Sequence, residues 1–395
     1  MKRILVTDGE QRASLAVTRS LGSASYEVHV LSYSRNSLAG ASRWAAQEHI
    51  VPDALRHPAD YVESVKEIAR QQRIDLTFPM TDQACVNLLP LRGDLALVGP
   101  STDAYSLLSD KAKMIPMAAR HGFKIPQGAQ VTSWAEAKRF SLRGSWPLVL
   151  KPTRSVLSDS ERGPTQTPPV KIVQDLDELE EAWIEMDGAQ GLVQDYVEGW
   201  GEGIFVLRLN GTTWASFAHR RLREKPPSGG VSVLRESIPV DARALADLES
   251  LLDEVDFDGV AMAEFRTDGQ DRWLMEFNVR FWGSLQLAID AGVDFPSWAV
   301  TAFGGQPEDF KKASGYRLGV RSRWLIGDLD HAIALARGRA DTHGRRGIYA
   351  ALRALFWTAG PSCHWEVLRL SDPKPFWVEV KQWLATAMNR RGKAD

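Results

Sequence analysis

The chain has 395 residues, 44% of them hydrophobic and 25% charged, the composition of a globular protein too long for one ordinary core. A formal net charge of −2 gives no general reason to expect a nucleic-acid partner. The two cysteines, Cys85 and Cys363, lie far apart and carry no metal-ligand spacing, and the apolar run at the start is cut by Asp8 before it reaches signal-peptide length. No stretch approaches a membrane span, so a cytoplasmic protein with no transmembrane segment is expected.

Taken in order, Arg3 to Thr7 reads as a strand, Arg12 to Leu21 as a helix, and Tyr26 to Tyr33 as a second strand. Tyr61 to Gln71 has helical spacing, followed by strands at Ile74 to Pro79 and Leu95 to Gly99. Such alternation implies a parallel sheet with crossover helices, placing a first lobe at 1–100. Thr81-Asp82 follows a strand's C-terminal end, where ligands sit in open α/β sheets. A helix cap is the preferred reading of Asp82.

Ser109-Asp110 opens a helix that runs through Lys111 and Met114 to Gly122. Pro147 to Pro152 is a strand ending in Lys151, and residues 153–169 read as a mobile loop. Strands then dominate: Leu192 to Val197, Ile204 to Leu209, Thr213 to His219, Gly259 to Arg266 and Trp273 to Phe277. A helix over Ala242 to Val255, capped by Asp241, separates the third from the fourth. This order describes an α+β lobe whose antiparallel sheet shows side chains to a cleft.

Further on, Arg317 to Ile326 reads as a strand and His331 to Arg339 as a helix. Phe376, Trp377, Val380, Trp383 and Leu384 form an apolar stripe at helical spacing, ahead of Arg390-Arg391-Gly392-Lys393. Packing on the preceding lobe is the default for the stripe, and a membrane-surface or partner contact is the alternative. Residues 331–395 hold eleven Lys or Arg and five Asp or Glu.

The chemistry concentrates in Val260-Ala261-Met262-Ala263-Glu264-Phe265 and Trp273-Leu274-Met275-Glu276-Phe277-Asn278, joined by a turn-rich Thr267 to Asp271. Acids inside apolar strand text are costly without a partner. Glu276 and Asn278 leave the same face, and across a hairpin Glu264 could join them. Two carboxylates and an amide oxygen form a hard ligand set suited to magnesium and phosphate. A surface hairpin with solvated acids is the bland alternative.

Glu264, then Glu276-Phe277-Asn278-Val279-Arg280, resembles the metal-binding end of the ATP-grasp superfamily, with Val279 where proline is usual. The resemblance implies α/β and α+β architecture with four parts. These are a Rossmann-like domain at 1–100, a lid subdomain at 101–192, a subdomain with the metal site at 193–310, and a C-terminal extension at 311–395. It implies ATP and magnesium as cofactors, with manganese able to substitute, and Glu264, Glu276 and Asn278 as metal ligands.

By the same resemblance Lys111 and Lys151 contact ATP, Gln194 and Val197 lie nearest the adenine, and Glu202 accepts from the ribose. The loop after the second lysine, usually rich in glycine, reads Thr153-Arg154-Ser155-Val156-Leu157-Ser158-Asp159-Ser160-Glu161-Arg162-Gly163-Pro164, and Ser155 is its expected phosphate contact. Arg280 faces the reacting phosphate or carboxylate. Arg221 and Arg223, alternating within Arg220 to Lys225, are expected to share a face and clamp an anionic substrate, or else to sit on a solvated basic hairpin.

The activity implied is a carboxylate–amine ligase working through an acyl phosphate, with small-molecule acid and amine substrates and a homodimer left open. A nucleotide-binding module without turnover, and an acid–thiol or carboxylase-type enzyme, are the alternatives.

Overall fold

The computed structural model describes residues 1–159, 163–305, 315–341, 344–356 and 363–391. Strands β1 (Arg3–Val6), β2 (Glu27–Ser32), β3 (Ala45–Ile50) and β4 (Leu76–Phe78) form a parallel sheet in the order β3-β2-β1-β4. Helices α1 (Arg12–Ser23) and α2 (Pro58–Gln71) are its crossovers. Ile4, Leu5 and Val6 are fully buried, as a parallel strand covered on both faces requires. The chain leaves β1 toward β2 and β3 and returns on its other side as β4. The gap between the ends of β1 and β4 is therefore a topological switch point, the place where such sheets receive ligands.

The strand expected at Leu95 to Gly99 is reduced to one parallel bridge, Thr77 to Leu97. Gly99 at φ +152° and the donorless Pro100 stop the ladder there. In contrast β3, with its polar Ala-Ala-Gln-Glu-His-Ile text, forms an unforeseen edge strand.

Helices α3 (Asp82–Leu88), α4 (Thr102–Leu108) and α5 (Lys111–Arg120) start on Thr81, Ser101 and Asp110. Their side chains accept from Ala84, Ala104 and Ala112 N–H at 3.2, 3.2 and 3.1 Å, each worth about 1 kcal/mol. Thr81 is thus the cap, and Asp82 is freed for another role.

The next sheet joins β5 (Gly128–Val131), β6 (Leu148–Pro152), β9 (Lys171–Val173) and β10 (Gly191–Asp195) in the order β5-β10-β6-β9. Helices α6 (Trp134–Ser141) and α7 (Leu176–Glu185) cover it, and Phe140, Leu148, Leu179 and Val193 belong to a core of its own. The expected loop at 153–169 contains a hairpin, β7 (Val156–Asp159) with β8 (Gly163–Gln166). Its pairing is carried by backbone groups, to which its polar residue types are no obstacle, and Thr167 N–H closes its base on the Ser155 carbonyl at 3.1 Å. Ser160, Glu161 and Arg162 lie outside the described residues.

The third sheet comprises β11 (Trp200–Leu209), β12 (Thr212–Lys225), β13 (Val231–Ile238), β14 (Gly259–Thr267), β15 (Arg272–Asn278), β16 (Arg321–Arg323) and β17 (Cys363–Trp365). Its order is β15-β14-β11-β12-β13-β16-β17, antiparallel except for the last pair. Along the central β11, Ile204 and Val206 enter one core while Phe205 and Leu207 enter the other. Period-two alternation thus cements both faces. Phe205 packs on Trp282 with ring centroids 4.4 Å apart, and each such burial is worth roughly 1.5–3 kcal/mol. The helix expected at Ala242 is α8 (Ala242–Glu254), with Asp241 accepting from Ala244 N–H at 2.9 Å.

Two strand expectations change here. The strand expected to stop at His219 continues to Lys225 because β13, not foreseen, pairs along it. The strand expected at Arg317 to Ile326 shrinks to β16, because the chain turns helical at Leu325.

After α9 (Leu285–Ala291) and α10 (Phe295–Phe303) come α11 (Leu325–Ala336), α12 (Ile348–Phe356) and α13 (Lys374–Arg391). Buried Glu366 accepts from Arg12 at 2.6 Å and also pairs with Arg235, while buried Asp372 takes Arg19 at 2.9 Å. These pairs strap the C-terminal segment to α1 and to β13. Removing one partner of such a pair typically costs 3–5 kcal/mol. Of the expected stripe, Phe376, Val380 and Trp383 turn inward, whereas Trp377 is 60% exposed. Gly392 and Lys393 lie outside the described residues, as does Lys311. Among the described residues no helix is long and apolar enough to cross a membrane.

Candidate active site

In the β14–β15 hairpin Glu264 stands opposite Glu276, and Met262 opposite Asn278. The turn is set by Asp268, whose Oδ1 accepts the N–H groups of Gln270 and Asp271 at 2.8 Å each, and by Gly269 at φ +98°. Counting in twos from the turn would set Glu264 opposite Met275; a bulge between Glu264 and Phe265 shifts the register by one and puts Glu264, Glu276 and Asn278 on one face of the sheet.

Two lysines converge on that face. Lys111 opens α5, and its N–H donates to the Thr153 carbonyl at 2.8 Å, which ties the helix start to the end of β6. Lys151 sits at that strand end. Lys111 Nζ lies 3.1 Å from Glu276 Oε2, and Lys151 Nζ donates to the Met275 carbonyl at 3.2 Å. Both lysines are buried, at 6% and 5% exposure, where an ammonium is costly without an anion beside it.

The electrostatics follow from this crowding. Burial, and then the Lys111 charge, bring the Lys151 ammonium down to about 8, against the pull of Glu276 and Glu264. Burial would raise Glu276, but Lys111 and Lys151 draw its carboxyl down to about 2. Burial raises Glu264, opposed by Arg221 at 2.6 Å and reinforced by Glu276. Arg221 is matched by Glu264 and Glu224, whereas Lys111 and Lys151 share Glu276, so the lysine pair leaves a local positive balance suited to a polyphosphate.

Among the described residues no group of three His, Cys, Asp or Glu is placed to hold a metal. Two carboxylates and the Asn278 amide are an incomplete set of hard oxygen donors, the kind magnesium completes with phosphate oxygens and water. The donor chemistry fits.

Asp82, Lys111, Arg154, Ser155, Glu276 and Asn278 line one pocket. Ser155 therefore lies beside the lysine and the hairpin. Arg154, which went unremarked in the loop text, donates from Nε to Asp110 Oδ2 at 3.0 Å and from NH2 to the Ser106 carbonyl at 3.2 Å.

Arg280 reaches away from the hairpin to the first sheet's switch point. Its Nε and NH2 donate to Asp82 Oδ2 at 3.0 and 2.8 Å, and NH1 to the Phe281 carbonyl at 3.0 Å. Tyr105 Oη donates to Asp82 Oδ1 at 3.1 Å, and burial and Asp82 push that phenol's pKa up. At the neighbouring strand end, burial raises the Asp8 carboxyl, against hydrogen bonds from Thr7, Gln83 and Thr81 and the charge of Arg280. Asp82 was visible in the sequence as an acid at a strand end. Tyr105 gave no signal there, being one aromatic in an apolar helix.

The remaining expected residues separate. Arg221 binds Glu264 at 2.6 Å, Glu224 at 3.0 Å and the Gly230 carbonyl at 3.1 Å. It lies over Gly201, where an added Cβ would meet Arg221 Cδ at 2.6 Å. Arg223 lines one pocket with Arg221, but its fork is engaged elsewhere. The β12–β13 register shifts between Arg221 and Arg223, and the Arg223 fork closes on fully buried Asp328, with Nε to Oδ1 at 2.7 Å. The shared clamp is corrected to one arginine at the hairpin and one in a structural pair.

Gln194 is buried in β10, which ends at Asp195. The Val197 carbonyl, expected near adenine, accepts from Arg266 Nε at 2.7 Å. Glu202 is held by Trp200 Nε1 at 3.0 Å and by Arg272 at 3.0 and 3.2 Å, so its carboxylate is oriented by its neighbours.

A parallel sheet, a separately cored four-stranded sheet, and a large sheet carrying an acid–acid–amide hairpin opposite two lysines define the ATP-grasp fold. Residues 189–325 match the family described as ATP-grasp in the biosynthetic pathway with Ter operon. None of the curated proteins compared with the chain matches it.

Among solved structures, the chain is similar to the biotin carboxylase domain of Hydrogenobacter thermophilus 2-oxoglutarate carboxylase, in complex with MgADP, ADP and bicarbonate. The TM-score is 0.62 and the identity 16%, over 81% of this chain and 73% of that one. An N5-carboxyaminoimidazole synthetase from Staphylococcus aureus, complexed with ADP, gives 0.62 and 14% over 81% and 80%. An L-amino acid ligase from Bacillus licheniformis gives 0.60 and 14% over 79% and 78%.

Lys151 supplies a first prediction. Below about pH 8 it is a cation available to phosphate, and above that it loses its charge in the free protein. ATP affinity measured by calorimetry should be highest below pH 8 and fall by up to about tenfold as pH rises beyond it, the weight of one charge-assisted contact. A Lys151→Met variant should lose that slope. An unchanged slope would remove Lys151 from the phosphate site.

Proposed function

We propose that the chain is an ATP-dependent ligase that converts a substrate carboxylate into an acyl phosphate and joins it to an amine. The products are an amide, ADP and phosphate. The reading rests above all on Arg280, a guanidinium fork two residues beyond Asn278 that donates to Asp82, which lines the pocket with Lys111, Glu276 and Asn278. A polyphosphate alone would be served by Lys111 and Lys151; a fork at the pocket's far side suits a carboxylate or acyl phosphate.

On this reading each residue takes a role. Lys111 and Lys151 receive the ATP phosphates, and Ser155 and Arg154 close the pocket above them. Gln194, Val197 and Glu202 flank the nucleoside end, Glu202 with its carboxylate already oriented. Magnesium held by Glu264, Glu276 and Asn278 with phosphate oxygens would offset charge on the transferred phosphoryl group. A substrate carboxylate oxygen attacks the γ-phosphorus, and the bond to the β–γ bridging oxygen breaks to release ADP. The amine nitrogen then attacks the acyl carbon, the acyl C–O bond breaks, phosphate leaves with the electron pair, and the amine gives up a proton. Arg280 holds the anionic oxygens through both steps. Arg221 acts through Glu264, keeping that carboxylate in place.

The L-amino acid ligase among the similar structures supports the amide product. The bicarbonate of the 2-oxoglutarate carboxylase domain makes carboxyl transfer the reading to compare it with. The test is an ADP-and-phosphate assay over a panel of acids and amines, with bicarbonate as one of the acids. Release that requires both an acid and an amine, with an amide seen by mass spectrometry, is the expected result. Release with bicarbonate and no second acid would favour a carboxylase. ATP binding without ADP under any condition would mark a module without turnover.

A further inference from the structure

The helix α12 is inside out. It buries Ala351 and Ala354 against Ala332 and Leu335 of α11, while its large side chains face water. Ile348 is 70% exposed, Tyr349 80%, Leu352 48% and Phe356 78%. Positions 348, 352 and 356 are four apart and 349 adjoins them, so they form one face. An amphipathic helix ordinarily buries its largest apolar residues, and a contiguous exposed set marks a binding surface.

The exposed charges of the described C-terminal segment are of one sign. Among the described residues of 331–391 no acid is exposed: Asp341 is paired with Arg345, and Glu366, Asp372 and Glu379 are buried. Arg337, Arg339, Arg346, Arg353, Lys374 and Lys381 are all exposed. On α13, which also contacts α11 through the Trp383 Nε1 bond to Asp330 at 2.9 Å, exposed Trp377, Lys381, Leu384 and Met388 repeat the mixture of apolar and cationic side chains.

We propose that this C-terminal face docks on an anionic lipid surface. Protruding aliphatic and aromatic side chains insert between acyl chains while the segment's exposed arginines and lysines meet acidic headgroups. A second copy of the chain suits the face poorly, because two sets of exposed cations would repel each other. A nucleic acid would leave Ile348, Leu352 and Phe356 without an apolar partner.

The full chain is tested by sedimentation with phosphatidylcholine vesicles and with vesicles also containing phosphatidylglycerol. The protein should pellet with the anionic vesicles, remain free with neutral ones, and be released by high salt. The pair Ile348→Asn and Phe356→Asn should cut the bound fraction about tenfold or more, as expected for two inserted side chains. The pair Arg339→Gln and Arg346→Gln should weaken binding several-fold. All four positions are exposed, so thermal unfolding of both variants should match the parent. The proposal is overturned if the parent stays in solution with anionic vesicles, if it binds neutral vesicles equally, or if the Asn pair binds as the parent does. It is also overturned if the Asn pair changes only self-association, which would make the face a protein interface.

Discussion

Replacing Glu276 with alanine will lower ATP-dependent phosphate release by on the order of 10³-fold while leaving a folded protein. Loss of a metal ligand at a phosphoryl-transfer site removes several kcal/mol of charge stabilisation, and about 1.4 kcal/mol corresponds to each decade. Glu276 also holds the lysines. Its Oε2 is 3.1 Å from Lys111 Nζ, and its charge is the largest influence keeping the Lys151 ammonium protonated. Without it, two buried cations face each other with only Glu264, itself engaged by Arg221, nearby.

The pH profile of ATP binding should therefore move as well, with the affinity loss beginning below the pH of about 8 expected for the parent. A Glu276→Gln variant keeps the shape and isolates the charge, and it should resemble alanine in rate. Thermal unfolding separates site loss from misfolding. A folded variant with near-parent phosphate release would sink the hairpin as the magnesium site.

The hairpin was legible because its information is local. Apolar strand text interrupted at Glu264, Glu276 and Asn278, with a Thr-Asp-Gly-Gln-Asp turn between, marks the hairpin and sets Glu276 and Asn278 on one face, to which a bulge beside Glu264 brings the third residue. The lysines were legible by position, Lys111 at a capped helix start and Lys151 at a strand end. What escaped depends on distant partners. Asp82 meets Arg280 across 198 residues, and the Arg223 fork is claimed by Asp328, 105 residues later. No periodicity reports such pairs. A one-residue register shift in β12 lies between Arg221 and Arg223, whose forks find different acids.

Backbone-driven elements escaped too. The β7–β8 hairpin and the edge strand β3 are built from polar residue types whose pairing is decided by neighbouring strands. No expectation covered α12, whose buried side, Ala351 and Ala354, is decided by packing on α11.

Arg280→Lys is expected to reduce the rate of amide formation about 100-fold while changing ATP affinity less than about twofold. The guanidinium makes three directed contacts at once, two to Asp82 Oδ2 and one to the Phe281 carbonyl. Burial alone would lower its pKa, but Asp82 holds it above the ordinary arginine value, so it remains a cation throughout. A lysine keeps the charge but presents one compact ammonium, unable to span Asp82 and an oxyanion in a fixed plane. ATP affinity is carried by Lys111, Lys151 and the hairpin, none of which contacts Arg280 in the bonds described. Asp82→Asn should show the same split more mildly, because Tyr105 can still orient the amide while the ionic anchor is gone. Equal losses in ATP affinity and in rate for Arg280→Lys would move Arg280 into the nucleotide site and leave the acyl phosphate without its fork.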